Sequence, residues 1–236
     1  MFYREPRPLD ARVHADRSLA PNRTFGFAAD TNCVPLLFSE FIRACRQYPI
    51  VFTAAPATQP LALLGIRTGQ NLFVDHEGRW AEEFHIPAYV RRYPFIFMES
   101  PDQQQFTLCI DTAAGSVVQN NDNPLFKDGK PTELTQQALT FCRAFHGEHM
   151  VTTEFAKAVN DAELLVDKTA EVTLKNGQKL SLTGFRVIDE EKFNNLPDET
   201  FLNWRKRGWL PLVYAHLTST ANWSTLINRA AATLDS

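Results

Sequence analysis

Residues 132–166 constrain the fold of this chain more than any other segment. Leu134, Ala138, Phe141, Phe145, Phe155, Val159, Ala162 and Val166 recur at helical spacing and form one apolar stripe. The pattern predicts a single long amphipathic helix, with Gly147 as the place where it kinks or divides. A helix with one apolar face needs a partner layer, so the rest of the chain must supply it.

That remainder is cut into short pieces. A helix is expected from Pro35, where Leu36, Leu37, Phe41, Ala44 and Cys45 keep helical spacing. It must stop before Tyr48-Pro49, because proline disfavours helical geometry in the residue ahead of it. Ile50-Val51-Phe52 reads as a buried strand, 54–60 as a proline-rich loop and 61–66 as another apolar run. Asp75-His76-Glu77-Gly78 carries Asp early and Gly late, as a type I turn requires between Asn71-Leu72-Phe73-Val74 and Arg79-Trp80. Residues 87–92 read as a short helix, and 95–98 and 106–110 as paired strands around a loop at Pro101-Asp102. Residues 113–132 are polar and read as a long loop. Residues 171–185 alternate as a hairpin turned at Asn176-Gly177, a pair suited to a two-residue type I′ turn. A helix at 198–206, a strand at 210–215 and a closing helix at 219–234 complete the map.

Hairpins and helices mixed in this way place the chain in the α+β class, with hairpin-rich mixed sheets, one long helix and several short ones. Two stretches echo each other: Pro35, helix, Tyr48-Pro49-Ile50-Val51-Phe52 and Pro197, helix, Leu210-Pro211-Leu212-Val213-Tyr214. They read as a duplicated strand–helix–strand element. Residues 1–24 hold five Arg and three Pro and read as an arm or irregular edge. Residues 25–236 read as one domain, with a sub-boundary offered by the 113–132 loop.

Composition removes several classes. Hydrophobic residues make up 44% of the chain and the net charge is only −3, which excludes a disordered protein. No stretch approaches the ~18 consecutive apolar residues of a membrane helix. The 24 Lys+Arg against 27 Asp+Glu leave no bulk positive field for nucleic acid. Arg91-Arg92 and Arg205-Lys206-Arg207 are local clusters that read as solvated helix faces. Residues 1–8 lack the apolar core of a secretory signal, so a cytoplasmic location is expected. Cys33, Cys45, Cys109 and Cys142 are widely spaced among apolar neighbours, and four reduced, mostly buried thiols follow.

The pairing of residues in 63–95 is distinctive. Leu63-Leu64-Gly65-Ile66-Arg67, Gly69-Gln70-Asn71-Leu72-Phe73-Val74-Asp75, Gly78-Arg79-Trp80 and Ile86-Pro87-Ala88-Tyr89-Val90-Arg91-Arg92-Tyr93-Pro94-Phe95 follow one another. Leu196-Pro197-Asp198-Glu199, Phe201-Leu202 and Leu210-Pro211-Leu212-Val213-Tyr214-Ala215-His216-Leu217 come later. Together, from about Phe27 to about Ser219, they resemble the bacterial SapC family, named from a gene cluster for a paracrystalline surface layer. The resemblance implies no reaction and brings no catalytic residue set. Family gene neighbourhoods include flavin-dependent halogenase-like, cupin-like and TonB-dependent receptor genes, which implies an accessory role with a protein or peptide partner.

Motifs for chemistry are sparse. Gly65-x-x-x-Gly69 lacks the Lys-Ser/Thr of a phosphate loop, and no G-x-G-x-x-G, G-x-S-x-G or H-E-x-x-H occurs. Cys142, His146 and His149 stand at i, i+4 and i+7 of the long helix, but they lack a fourth zinc ligand. They read as a buried thiol and two partly exposed histidines, so neither metal nor cofactor is assigned. His85 and His216 lie among apolar residues and read as structural. A Cys–His pair using Cys33 or Cys109 would leave no local trace.

Arg67, Asn71, Asp75, Arg79, Trp80, Arg91 and Arg92 remain as the candidate binding set. Arginine forks take carboxylates or phosphates in two-pronged fashion, and Trp offers a flat stacking face. The competing reading is an Arg–Asp network bracing the turn at 75–78, in which any buried Arg needs a carboxylate such as Asp75. Three functions follow in order: a non-catalytic module for a peptide or protein client, an enzyme with a dispersed site, and a surface-layer assembly or export component. A shallow apolar patch with an Arg rim would mark the first.

Overall fold

The computed structural model describes residues 2–22, 24–54, 56–99, 106–119, 122–173 and 179–233. The long helix runs Glu133–Asp161, unbroken at Gly147. It ends where Glu163 takes a left-handed φ of 56° and its N–H bonds back to Asn160 O. Val166, the last member of the predicted stripe, therefore belongs to the strand Leu165–Thr173. The spacing from Ala162 to Val166 matches a helix by coincidence, because the chain has already reversed.

The helix spans two apolar centres. Phe155, Ala156 and Val159 of its C-terminal half enter the main core with Phe41, Tyr48, Phe52, Trp204 and Trp209. Cys142, with Leu134 and Ala138 beside it, packs on Phe95, Ile110, Leu125 and Phe126 in a second cluster. Two antiparallel sheets supply the partner layer that the stripe requires. The larger has five strands in the order Leu165–Thr173, Lys179–Ile188, Ile50–Thr53, Pro60–Leu63, Cys33–Pro35. The smaller orders Pro6–Pro8, Phe106–Asp111 and Phe95–Glu99. The fold is α+β.

The strands at 50–53, 95–99 and 106–111 and the short helix Ala88–Arg91 lie where the sequence places them. So does the turn at 75–78: Gly78 has φ +76°, and Gly78 N donates to Asp75 O at 3.0 Å. The strands flanking Asn176-Gly177 pair antiparallel, whereas that turn and the one at Pro101-Asp102 lie outside the described residues.

Several expectations are corrected. Cys33–Pro35 is an edge strand, and the helix expected from Pro35 shrinks to a 3-10 turn, Phe38–Glu40, followed by Phe41–Ala44. An edge tolerates a residue without an N–H donor. Leu210–Ser219 is a helix, with Pro211 in its first turn, where a missing N–H costs nothing. An apolar run of six residues fits a buried helix as well as a strand, and periodicity alone does not separate them. With Ile50–Thr53 a strand and Leu210–Ser219 a helix, the two halves of the supposed duplication differ, and the repeat falls. The 113–132 segment carries short strands, Val117–Gln119, Phe126–Lys127 and Lys130–Pro131, where a plain loop is expected. Within the N-terminal segment, Pro6–Pro8 pairs with Phe106–Asp111 and Arg17–Leu19 with Val117–Gln119.

Candidate functional site

The turn at 75–78 is built from its own carboxylate. Asp75 Oδ1 accepts N–H groups of Glu77 at 2.9 Å and Arg79 at 2.8 Å. Arg79 Nε donates to Asp75 Oδ2 at 2.8 Å, and its Nη1 lies 2.7 Å from Glu77 Oε2. These bonds to the ionised form, those from Arg79 first, hold the Asp75 carboxyl below its ordinary pKa. Arg79 thus closes the turn that presents it. Trp80 is buried, with Nε1 donating to Tyr48 Oη at 3.3 Å and its ring edge-on to Phe25. Asn71 is also buried: Nδ2 donates to Ala28 O and Oδ1 accepts Phe73 N–H. Arg67 is half-buried, and its Nη2 is enclosed without a hydrogen bond among the described residues.

The seven candidates do not converge. Asp75, Arg79 and Trp80 line one cleft of about 570 Å³ together with Leu72, Phe73 and Arg229. Arg229 is held there by Leu72 O at 3.1 Å and lies over the rings of Phe73 and Phe84. Arg91 and Arg92 line a different cleft of about 500 Å³. Its walls are Leu19, Phe25, Ile86 and Phe95 on one side and Leu134, Gln137, Ala138 and Phe141 of the long helix on the other. Leu19, Phe25, Ile86, Leu134, Ala138 and Phe141 are each only half-buried.

The two arginines in this second cleft are held differently. Arg91 donates from Nε to Ile86 O at 2.9 Å, and its guanidinium lies 5.2 Å from the Phe141 ring centre. Its Nη2 is 4.0 Å from Oε1 of Glu40. That carboxylate is buried and already engaged: it takes N–H groups of Ala88 at 2.7 Å and Leu37 at 3.1 Å, and His85 Nε2 lies 2.7 Å away. Glu40 therefore anchors the start of the Ala88–Arg91 helix, and His85 is a structural partner of it. Arg92 departs from expectation. Its Nε donates to Tyr3 Oη at 3.1 Å, and its guanidinium sits over Phe145, Tyr89 and Tyr3 at 4.2, 4.8 and 5.6 Å. Among the described residues no carboxylate pairs with it. The expectation concerns a buried Arg, which needs a carboxylate such as Asp75; this half-buried one is compensated by aromatic faces instead.

Sequence reasoning missed the cleft walls. Leu134, Ala138 and Phe141 were legible as helix stripe, but a stripe facing a cleft has the same spacing as one facing a core. Glu40 gave no signal of its own.

The nucleophile candidates are quiet. All four cysteines are free, Cys33 half-buried and the others buried. Burial pushes every thiol up, Cys142 to about 11, away from a thiolate at neutral pH. His146 packs on Phe106 and His149 stacks on Phe145. Among the described residues no three His, Cys, Asp or Glu gather as metal ligands, and no helix is long and apolar enough to cross a membrane.

Comparison with known proteins gives one match. The family model described as SapC matches residues 9–226. Searches of the curated proteins and of the solved structures return no match.

Proposed function

The chain belongs to the SapC family, and from that premise we propose that it is a non-catalytic binding module that holds a peptide or protein client in the Arg91–Arg92 cleft. One observation carries the reading: six half-buried apolar side chains face an open trough of about 500 Å³ whose polar groups, among the described residues, are two arginines and one glutamine. Apolar surface left wet at ~25 cal/mol per Å² is free energy that a covering segment recovers. An apolar patch with a cationic rim is the composition of a recognition surface.

Among the described residues, the lining offers no catalytic group. Leu, Phe, Ile, Ala, Gln and Arg provide no nucleophile and no group that accepts a proton near neutral pH. Arg91 is pre-positioned by Ile86 O and the Phe141 face, so a client meets a guanidinium whose freedom is already reduced. The trough is small, which suits a short segment of a client.

Ala138→Arg tests the reading. It places a long cationic side chain in the middle of the trough, while the helix face lets the charged end reach water. Wild type and variant are used as bait in the same native lysate, and captured proteins are compared by mass spectrometry. A protein enriched on wild type and lost on the variant, with equal melting temperatures for both baits, supports the proposal. Identical capture by both refutes it.

A further inference from the structure

The charges around the trough narrow the kind of client, and this inference rests on the client-binding reading above. We infer that the segment bound is an apolar peptide carrying an Asp or Glu side chain that docks against Arg91 and Arg92.

Among the described residues, two cations and no acid line the trough. Glu40 lies 4.0 Å behind Arg91, and its oxygens already take two backbone N–H groups and the His85 ring. Arg92 is compensated by ring faces and one phenol oxygen, none of which carries a formal negative charge. Its field extends into the surroundings: it favours the ionised forms of the Tyr3 and Tyr89 hydroxyls and the Cys142 thiol, although burial outweighs it at each. A half-buried guanidinium with aromatic neighbours gains more from an incoming carboxylate than one in open water, because the local dielectric is lower.

The geometry also orders the ligand. The cations lie at the Phe141 end, where Arg91 covers that ring, and the apolar wall continues along the long helix through Ala138 to Leu134. Those residues span seven positions of the helix, about 10 Å at 1.5 Å per residue. Two or three apolar side chains of a client cover that length, with its acid at one end of them. Arg91 is 44% exposed, so this end is an open rim where the client chain continues past the cation. The carboxylate is therefore that of a side chain within the segment.

Selection from a random eight-residue peptide display library tests this, with the wild-type protein as bait. Enriched peptides should carry Asp or Glu next to two or three apolar residues. A synthetic copy of the leading peptide should lose at least about tenfold in affinity when its acid becomes the amide, and a similar amount against Arg91→Gln. Arg91 is the residue to change because Arg92 is packed among three rings; Arg92→Lys, which keeps the charge, should retain most binding. Enrichment of apolar peptides with no preference for an acid, or of peptides needing a free C-terminal carboxylate, overturns this inference and leaves the client-binding reading standing. Enrichment no greater than on Ala138→Arg overturns the client-binding reading itself.

Discussion

Lowering the pH should destabilise this fold through one histidine. His216 is 0% exposed, its Nε2 accepts the N–H of Ile188 at 2.9 Å, and its Nδ1 has no hydrogen-bond partner among the described residues. The neutral ring fits there; an imidazolium would be a buried cation with its acceptor role lost. Burial pushes the pKa down from 6.5 to about 4. Between those values the unfolded chain binds a proton that the folded one refuses, so stability is full above about pH 6.5 and falls as the pH drops. At 1.36 kcal/mol per pH unit of displacement, the loss is about 2 kcal/mol near pH 5 and about 3 kcal/mol at and below pH 4. His216→Gln keeps an acceptor near the Nε2 position and cannot take up the proton. Urea unfolding of both proteins at about pH 7 and pH 5 isolates the effect, because other titrating groups are common to both. Wild type should lose about 2 kcal/mol more than the variant over that range. Equal losses, within ~0.5 kcal/mol, would refute the assignment of that proton to His216.

Three further perturbations follow from the packing. A Cβ on Gly65 would sit 2.0 Å from the Gln70 carbonyl oxygen, so Gly65→Ala should cost about 2–3 kcal/mol in urea unfolding. Asp111, 0% exposed, accepts N–H groups of Arg4, Glu5 and Ala113 and the Tyr93 hydroxyl; Asp111→Ala should cost about 3 kcal/mol and speed hydrogen exchange at the Arg4 and Glu5 amides. Arg79 is an exposed brace of its own turn, so Arg79→Ala should leave the melting temperature within about 2 °C and client capture unchanged.

The parts of the fold that were legible in sequence are those fixed by local chemistry. Asp75 and Gly78 define their turn because one supplies the acceptor and the other the positive φ, within four residues. The short helix ahead of Tyr93-Pro94 and the strand pair after it follow the same logic. Leu210-Pro211-Leu212-Val213-Tyr214 was misread because an apolar run has no period to measure, and its helical state shows only in the packing, which buries Leu212, Val213, Ala215 and His216 and leaves Pro211, Tyr214 and Thr218 exposed. Val166 joined the stripe by arithmetic although Glu163 had already turned the chain. The cleft itself was the least legible feature. Its walls come from Leu19, Phe25, Ile86 and Leu134, far apart in sequence, and what distinguishes them is half-burial, which spacing does not encode. Arg91 and Arg92 line the cleft, but Arg92 keeps other company than a carboxylate such as Asp75: Tyr3, Tyr89 and Phe145 surround it.

Hydrogen exchange on the protein with and without the captured client tests the central claim most directly. Binding in the cleft should slow exchange at residues 86–92 and at 136–141 near the start of the long helix, while leaving the turn at 75–80 unchanged. Protection confined to the Arg79–Arg229 cleft, or spread elsewhere with none at 86–92, would contradict it.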